Sequence, residues 1–148
     1  MPHRRSARLA AWQKGLLCVS GGLLWLSGAV WLVLHNYFPV QGLFGAETNP
    51  AEPWLMRLHG AVMIPALMGI GAMFVAHIPK GWDDRRQRLV GVALGAVLTV
   101  LIVTGYLLYY LGEDGPRGLA SKAHWIIGLV LPLVFGWHWL SGIAARRR

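Results

Sequence analysis

The chain alternates between long uncharged stretches and short clusters of charged residues. Residues 15–46, 58–79, 89–112 and 123–145 contain no Asp, Glu, Lys or Arg. Each stretch exceeds the roughly 20 residues, at about 1.5 Å per residue, that a helix needs to cross the hydrocarbon core of a membrane. None has the polar face that a soluble helix of this length would need. The pattern therefore predicts four transmembrane helices, over residues 14–37, 54–78, 88–111 and 121–144.

The predicted connections between these helices are short. The outer loop after the first helix, residues 38–53, contains three prolines and two glycines, and we expect it to be irregular. The inner loop that begins at Pro79 is charged and rich in turn-forming residues. Short connections place consecutive helices side by side and antiparallel. The sequence therefore predicts a single all-α domain over residues 1–148, an integral membrane four-helix bundle with up-down topology.

The basic residues predict the orientation of the bundle, because Lys and Arg accumulate in short cytoplasmic loops. Four crossings put both termini and the middle loop on one side, and that side holds eleven of the 14 basic residues. They are Arg4, Arg5, Arg8, Lys14, Lys80, Arg85, Arg86, Arg88, Arg146, Arg147 and Arg148. Both termini are therefore predicted to be cytoplasmic. The membrane is expected to be the inner membrane of a bacterium.

Charge and cysteine content exclude several other classes of protein. The net charge of +8 is spread over clusters that flank the helices, which favours contact with anionic lipid over nucleic acid. The apolar run over residues 16–34 is longer than the core of a signal peptide, about 7–15 residues, so we expect the first helix to be uncleaved. Cys18 is the only cysteine, which excludes a disulfide framework and a cysteine metal site.

Five of the six histidines lie within or at the end of a predicted helix, namely His35, His59, His77, His124 and His138. Ionisable residues inside a membrane are costly and mark candidate functional sites. His59 and His77 are eighteen residues apart, which is five full helical turns. His124 and His138 are fourteen residues apart, which misses a whole number of turns by about 40°. Each of the two helices therefore presents an outer and an inner histidine on one face.

If these two faces meet, His59 pairs with His124 at the outer level and the other two histidines pair at the inner level. Two opposed imidazoles suit haem iron, which takes nitrogen ligands on opposite sides. The distance along the helix axis between the two histidines is about 27 Å on helix 2 and about 21 Å on helix 4. This difference leaves open whether the protein holds one haem or two. His35, also at outer depth, is an alternative ligand in place of His59 or a proton acceptor near a quinol site.

Other residues near the histidines fit a porphyrin but have simpler explanations. Gly91 and Gly105 on the third helix would permit close approach of a flat ring, or they serve ordinary helix packing. Arg57 and Lys122 lie beside the outer histidines, where haem propionates would reach toward water. Both are equally suited to anchor a helix at the membrane interface.

At these residues the chain resembles the four-helix membrane b-type cytochromes, including bacterial cytochrome b561 and the cytochrome b subunits of formate dehydrogenase and nickel-iron hydrogenase. The resemblance covers essentially the whole chain, and the spacing of His124 and His138 matches the fourth helix of that group. It implies two non-covalent haems b with bis-histidine ligation, which move electrons between quinone and a redox partner. Members usually draw an inner ligand from helix 1, where this chain has no histidine near the inner end, so His77 is assigned that role.

The preferred hypothesis is thus a di-haem electron-transfer subunit, with quinone as a candidate substrate and a periplasmic protein or complex subunit as partner. A structural or assembly subunit with hydrogen-bonding histidines is one alternative. A histidine-lined transporter of metal ions or protons is another, although intramembrane carboxylates are missing from the sequence. Because no residues resemble a catalytic nucleophile or an acid–base pair, we expect a subunit of an oxidoreductase complex rather than a stand-alone enzyme.

Overall fold

The computed structural model describes residues 9–83 and 87–147 of the chain. Within these residues the fold consists of four long α-helices and one short β-hairpin. In chain order the elements are α1 (Ala11–Tyr37), β1 (Val40–Gly42), β2 (Gly45–Glu47), α2 (Glu52–Asp83), α3 (Arg88–Tyr110) and α4 (Asp114–Arg147). The predicted all-α fold is therefore confirmed, with the small hairpin as its one addition in the described residues.

All four helices are long and apolar enough to cross a membrane. Large apolar side chains such as Val33, Ile64 and Leu133 lie exposed on the helix surfaces. Buried apolar side chains among the described residues are few and mostly small, namely Ala66, Leu94 and Ala120. Exposed apolar surface of this extent is unfavourable in water and ordinary in lipid. The exposed surface therefore agrees with the membrane insertion that the composition predicts.

The chain divides into two compact units, Met1–Lys80 and Gly81–Arg148. We call α1 with α2 the first hairpin and α3 with α4 the second hairpin, and describe each by itself. The single four-helix bundle and its cytoplasmic termini stay predictions. Several basic residues on which the orientation depends lie outside the described residues: Arg4, Arg5, Arg8, Arg85, Arg86 and Arg148.

The ends of the first two helices differ from the prediction for local reasons. α1 begins three residues early, at Ala11, where the side-chain carbonyl of Gln13 accepts a hydrogen bond from the backbone N–H of Ala10 (2.9 Å). α2 continues to Asp83, through Pro65 and Pro79, so the predicted start of the inner loop at Pro79 is wrong. A proline removes one backbone hydrogen bond, a loss that apolar helices tolerate when neighbouring groups compensate.

α4 begins at Asp114, seven residues before its predicted start. Asp114 and Pro116 occupy the first turn. A carboxylate there interacts favourably with the helix dipole, and the backbone N–H that proline lacks would have no partner within the helix. From the next turn, the Arg117 guanidinium donates hydrogen bonds to the carbonyl oxygens of Leu108 and Leu111 at the end of α3. The connection between α3 and α4 therefore consists of residues 111–113 alone. The two helices pack along each other.

The connection between α1 and α2, which the sequence predicts to lie on the outer side of the membrane, contains an antiparallel strand pair. Val40 pairs with Glu47 and Gly42 with Gly45. Gly45 has φ of +124°, a conformation that favours glycine and closes the tight turn. The expectation of an irregular loop is therefore wrong for residues 40–47.

Candidate functional site

His59 of α2 contacts a hydroxyl on α1. Its Nδ1 atom lies 2.9 Å from Oγ of Ser27, a side chain that is only 3% exposed. The Ser27 hydroxyl also donates a hydrogen bond to the carbonyl oxygen of Leu23 in its own helix (2.7 Å). The imidazole is thus connected, through one hydroxyl, to the backbone of α1.

The residue next to this hydroxyl is a glycine that the imidazole covers. A Cβ atom placed on Gly28 would lie 3.3 Å from Cε1 and 3.6 Å from Nδ1 of His59. A distance of 3.3 Å is tighter than ordinary van der Waals contact, so a side chain here would press on the ring. Gly28 therefore provides the space in which the His59 ring approaches the α1 backbone.

The second hairpin repeats this arrangement with different residues. Nδ1 of His124 on α4 lies 2.9 Å from Oγ1 of Thr104 on α3, and the Thr104 hydroxyl donates to the carbonyl of Val100 (2.7 Å). A Cβ on the adjacent Gly105 would lie 3.2 Å from Cε1 of His124. In each hairpin a hydroxyl–glycine dipeptide on the first helix faces a histidine on the second.

Sequence reasoning selected both histidines and Gly105 but missed Ser27, Gly28 and Thr104. The signal that points to them is the recurrence of a hydroxyl residue followed by glycine on α1 and on α3. Hydroxyls that bond to their own helix backbone are common in apolar helices, so the dipeptide by itself is not specific. The contact with histidine distinguishes this pair from Ser20 and Thr99, which bond to carbonyls of their own helices.

The two inner histidines lie on the same helices as their outer counterparts. His77 on α2 and His138 on α4 are both partly exposed, and Nδ1 of His138 is buried. Their pairing at an inner level stays a prediction.

His35, the alternative outer ligand, is held by a carboxylate at the outer end of the first hairpin. Its Nδ1 lies 2.9 Å from Oε2 of Glu52, and its ring stacks on Trp31 with 4.6 Å between centroids. Oε1 of Glu52, which is 6% exposed, accepts a hydrogen bond from the backbone N–H of Asn49 (3.0 Å). We call this group, His35 with Glu52 and Asn49, the outer clasp.

The outer clasp and the His59 contact lie at different depths. His35 is eight residues beyond Ser27 on α1, which corresponds to about 12 Å along the helix axis. His35 therefore does not occupy the level of His59. The contact with Glu52 gives His35 a role in joining α1 to the first turn of α2, and the choice between His59 and His35 as a ligand stays a prediction.

Replacing Glu52 with alanine is expected to lower the free energy of unfolding by about 1–3 kcal/mol, because two hydrogen-bond donors then lose a buried acceptor. Denaturant or thermal unfolding of the detergent-solubilised chain measures this change. Glu47→Ala is the matched control, since Glu47 is an exposed carboxylate in the same outer segment. Equal stability of the two variants would contradict a stabilising role for the outer clasp.

The remaining predicted cofactor residues have separate surroundings. The Arg57 guanidinium lies 4.6 Å from the ring centroid of Trp54, an exposed pair of the kind that anchors helices at a membrane interface. Lys122 is exposed. Among the described residues nothing lies within 4 Å of a Cβ placed on Gly91. Binding of a cofactor by Arg57, Lys122 and Gly91 stays a prediction.

In the part of the chain that the structure describes, no three or more His, Cys, Asp or Glu side chains group to hold a metal ion. Haem iron takes only two axial ligands from the protein, so this finding does not bear on the haem hypothesis.

Comparisons with known proteins do not assign the chain to a family. The resemblance to b-type cytochromes therefore depends on the histidines and their spacing. No family model matches the chain, and no curated protein or solved structure matches it.

Proposed function

We propose that this chain is a membrane-embedded b-type cytochrome that transfers electrons between quinol and a redox partner protein. The observation that carries the proposal is the arrangement repeated in the two hairpins. His59 and His124 each have Nδ1 at 2.9 Å from a buried hydroxyl and each lie against a glycine. Metal-binding histidines typically have their second ring nitrogen hydrogen-bonded in this way, which orients the ring.

The donor set fits haem iron better than other metals. A neutral imidazole suits iron, and bis-histidine ligation needs only two imidazoles. In the proposal, His59 and His124 would hold one haem b, and His77 and His138 would hold a second. Bound haem b supplies reversible one-electron oxidation and reduction.

The polypeptide contributes orientation and surroundings. Ser27 and Thr104 hold the two outer imidazoles, and the adjacent glycines leave room for the rings. The apolar helices keep water away from the site and thereby influence the potential of a bound haem. The described connections between the helices are short, and quinol and a protein partner at the membrane faces are the proposed electron donor and acceptor.

A reduced-minus-oxidised absorption spectrum of the purified chain tests the proposal. The expected result, after expression in haem-sufficient cells, is the spectrum of a low-spin b-type haem. Pyridine haemochrome analysis then counts one or two haems per chain. A folded, monodisperse protein without haem absorbance would refute the proposal.

A structural subunit is the second candidate, because the same two contacts are hydrogen bonds between helices. This candidate predicts a colourless protein. It also predicts that loss of either histidine changes only the stability of its own hairpin.

A further inference from the structure

The two outer histidines belong to hydrogen-bond chains whose direction is set by the backbone. A hydroxyl has a single proton to donate. The Thr104 hydroxyl lies 2.7 Å from the carbonyl oxygen of Val100, and that carbonyl can only accept. With its proton committed to the carbonyl, the Thr104 oxygen accepts from the imidazole. Nδ1 of His124 is then the protonated nitrogen.

The first hairpin leads to the same assignment. The Ser27 hydroxyl lies 2.7 Å from the carbonyl oxygen of Leu23 and 3.1 Å from that of Leu24, so its proton faces two acceptors. His59 therefore donates from Nδ1 to Ser27. In both hairpins the chain runs from imidazole N–H to hydroxyl to backbone carbonyl.

We infer that Ser27 and Thr104 are positioning residues that hold His59 and His124 in the Nδ1–H tautomer, with the lone pair on Nε2. This inference rests on the proposed function for its consequence, which is that Nε2 of each ring is presented as a ligand to haem iron. A neutral imidazole has one protonated and one unprotonated nitrogen, and only the unprotonated nitrogen binds a metal. Without the hydroxyl, the ring loses a hydrogen-bond partner that favours this tautomer and helps to fix the rotation of the ring.

The hydrogen-bond chain also has an electronic effect. An imidazole that donates from Nδ1 to a polarised hydroxyl becomes a stronger electron donor at Nε2. Stronger donation stabilises ferric iron more than ferrous iron, which lowers the reduction potential. Removal of either hydroxyl is therefore expected to shift the potential of the outer haem to more positive values.

Thr104→Val and Thr104→Ser form the decisive pair of variants. Valine keeps the shape of threonine without the hydroxyl, and serine keeps the hydroxyl. Redox titration is expected to give a more positive outer-haem potential for Thr104→Val and a wild-type potential for Thr104→Ser. Ser27→Ala is expected to shift the potential in the same direction as Thr104→Val.

Two other hydroxyls serve as controls. Ser20 is buried on α1 and Thr99 lies on α3, and each donates to a carbonyl of its own helix. Ser20→Ala and Thr99→Val are expected to leave the potential unchanged. Unchanged potentials in Ser27→Ala and Thr104→Val as well, with haem bound, would overturn the inference and leave the proposed function standing.

Nitrogen-15 NMR of the full chain with labelled histidine provides a readout that does not depend on redox activity. The spectrum is recorded under reducing conditions, so that bound low-spin iron is diamagnetic. We expect a directly attached proton on Nδ1 of His59 and His124. A proton on Nε2 in the wild-type chain would overturn the inference, whether or not haem is present.

Discussion

Replacing His124 with leucine is expected to remove the outer haem from the protein while leaving the second hairpin folded. Leucine has no nitrogen to bind iron, so the axial ligand from α4 is lost. The Thr104 hydroxyl keeps its hydrogen bond to the Val100 carbonyl (2.7 Å), so the substitution strands no buried donor on α3. The haem content is expected to fall from two per chain to one, or from one to none. Pyridine haemochrome analysis and the reduced-minus-oxidised spectrum measure this loss.

Trp125→Leu is a suitable control for this experiment. Trp125 follows His124 on α4 and its side chain is exposed, so the control changes the helix surface without touching the imidazole. His59→Leu is expected to reproduce the haem loss from the first hairpin. If His124→Leu retains the full haem content and spectrum, His124 is not an axial ligand. A colourless wild-type chain whose unfolding midpoint falls in His124→Leu would instead support the structural subunit.

Replacing Gly105 with valine is expected to displace the His124 ring and to reduce haem binding strongly. A Cβ at this position would already lie 3.2 Å from Cε1 of His124, and the two methyl groups of valine extend farther. The ring cannot withdraw without breaking the 2.9 Å contact between its Nδ1 and Thr104. Overpacking of this kind costs about 1–3 kcal/mol, and haem occupancy and the unfolding midpoint should both fall.

The matched control is Gly95→Val, on the same helix. In the described residues nothing lies within 4 Å of a Cβ on Gly95, and valine has the same intrinsic cost in either helical position. Gly28→Val, with Gly22→Val as its control, repeats the test in the first hairpin. Equal haem retention in Gly105→Val and Gly95→Val would contradict the proposed approach of the ring to α3.

The helices were predictable because their signal is local. An uncharged stretch of more than 20 residues needs no tertiary contact to be recognised. Helix ends were less predictable, because they depend on particular capping groups. Asp114 and Pro116 favour a helix start, yet with the glycines around them they also resemble a turn. The strand pair over residues 40–47 was missed because the three prolines and two glycines of the predicted loop, residues 38–53, suggested an irregular segment.

The candidate site was predictable only in part. Helical periodicity places His59 on the same face of its helix as His77, and His124 on the same face of its helix as His138. Periodicity does not show which residue on the neighbouring helix faces them. That residue depends on how far one helix is shifted along the other and how it is rotated about its axis. Both quantities are set by the connection and by side-chain packing along the hairpin.

The sequence by itself determined four apolar helices and the spacing of the histidines on α2 and α4. Only the tertiary structure decided that Ser27 faces His59 and that Thr104 faces His124. It also decided that His35 is bound by Glu52, at a different depth from His59. The physical reason is that the contacting residues are 17 to 32 positions apart in the chain. Packing between antiparallel helices brings them together, and a local sequence pattern does not reveal that packing.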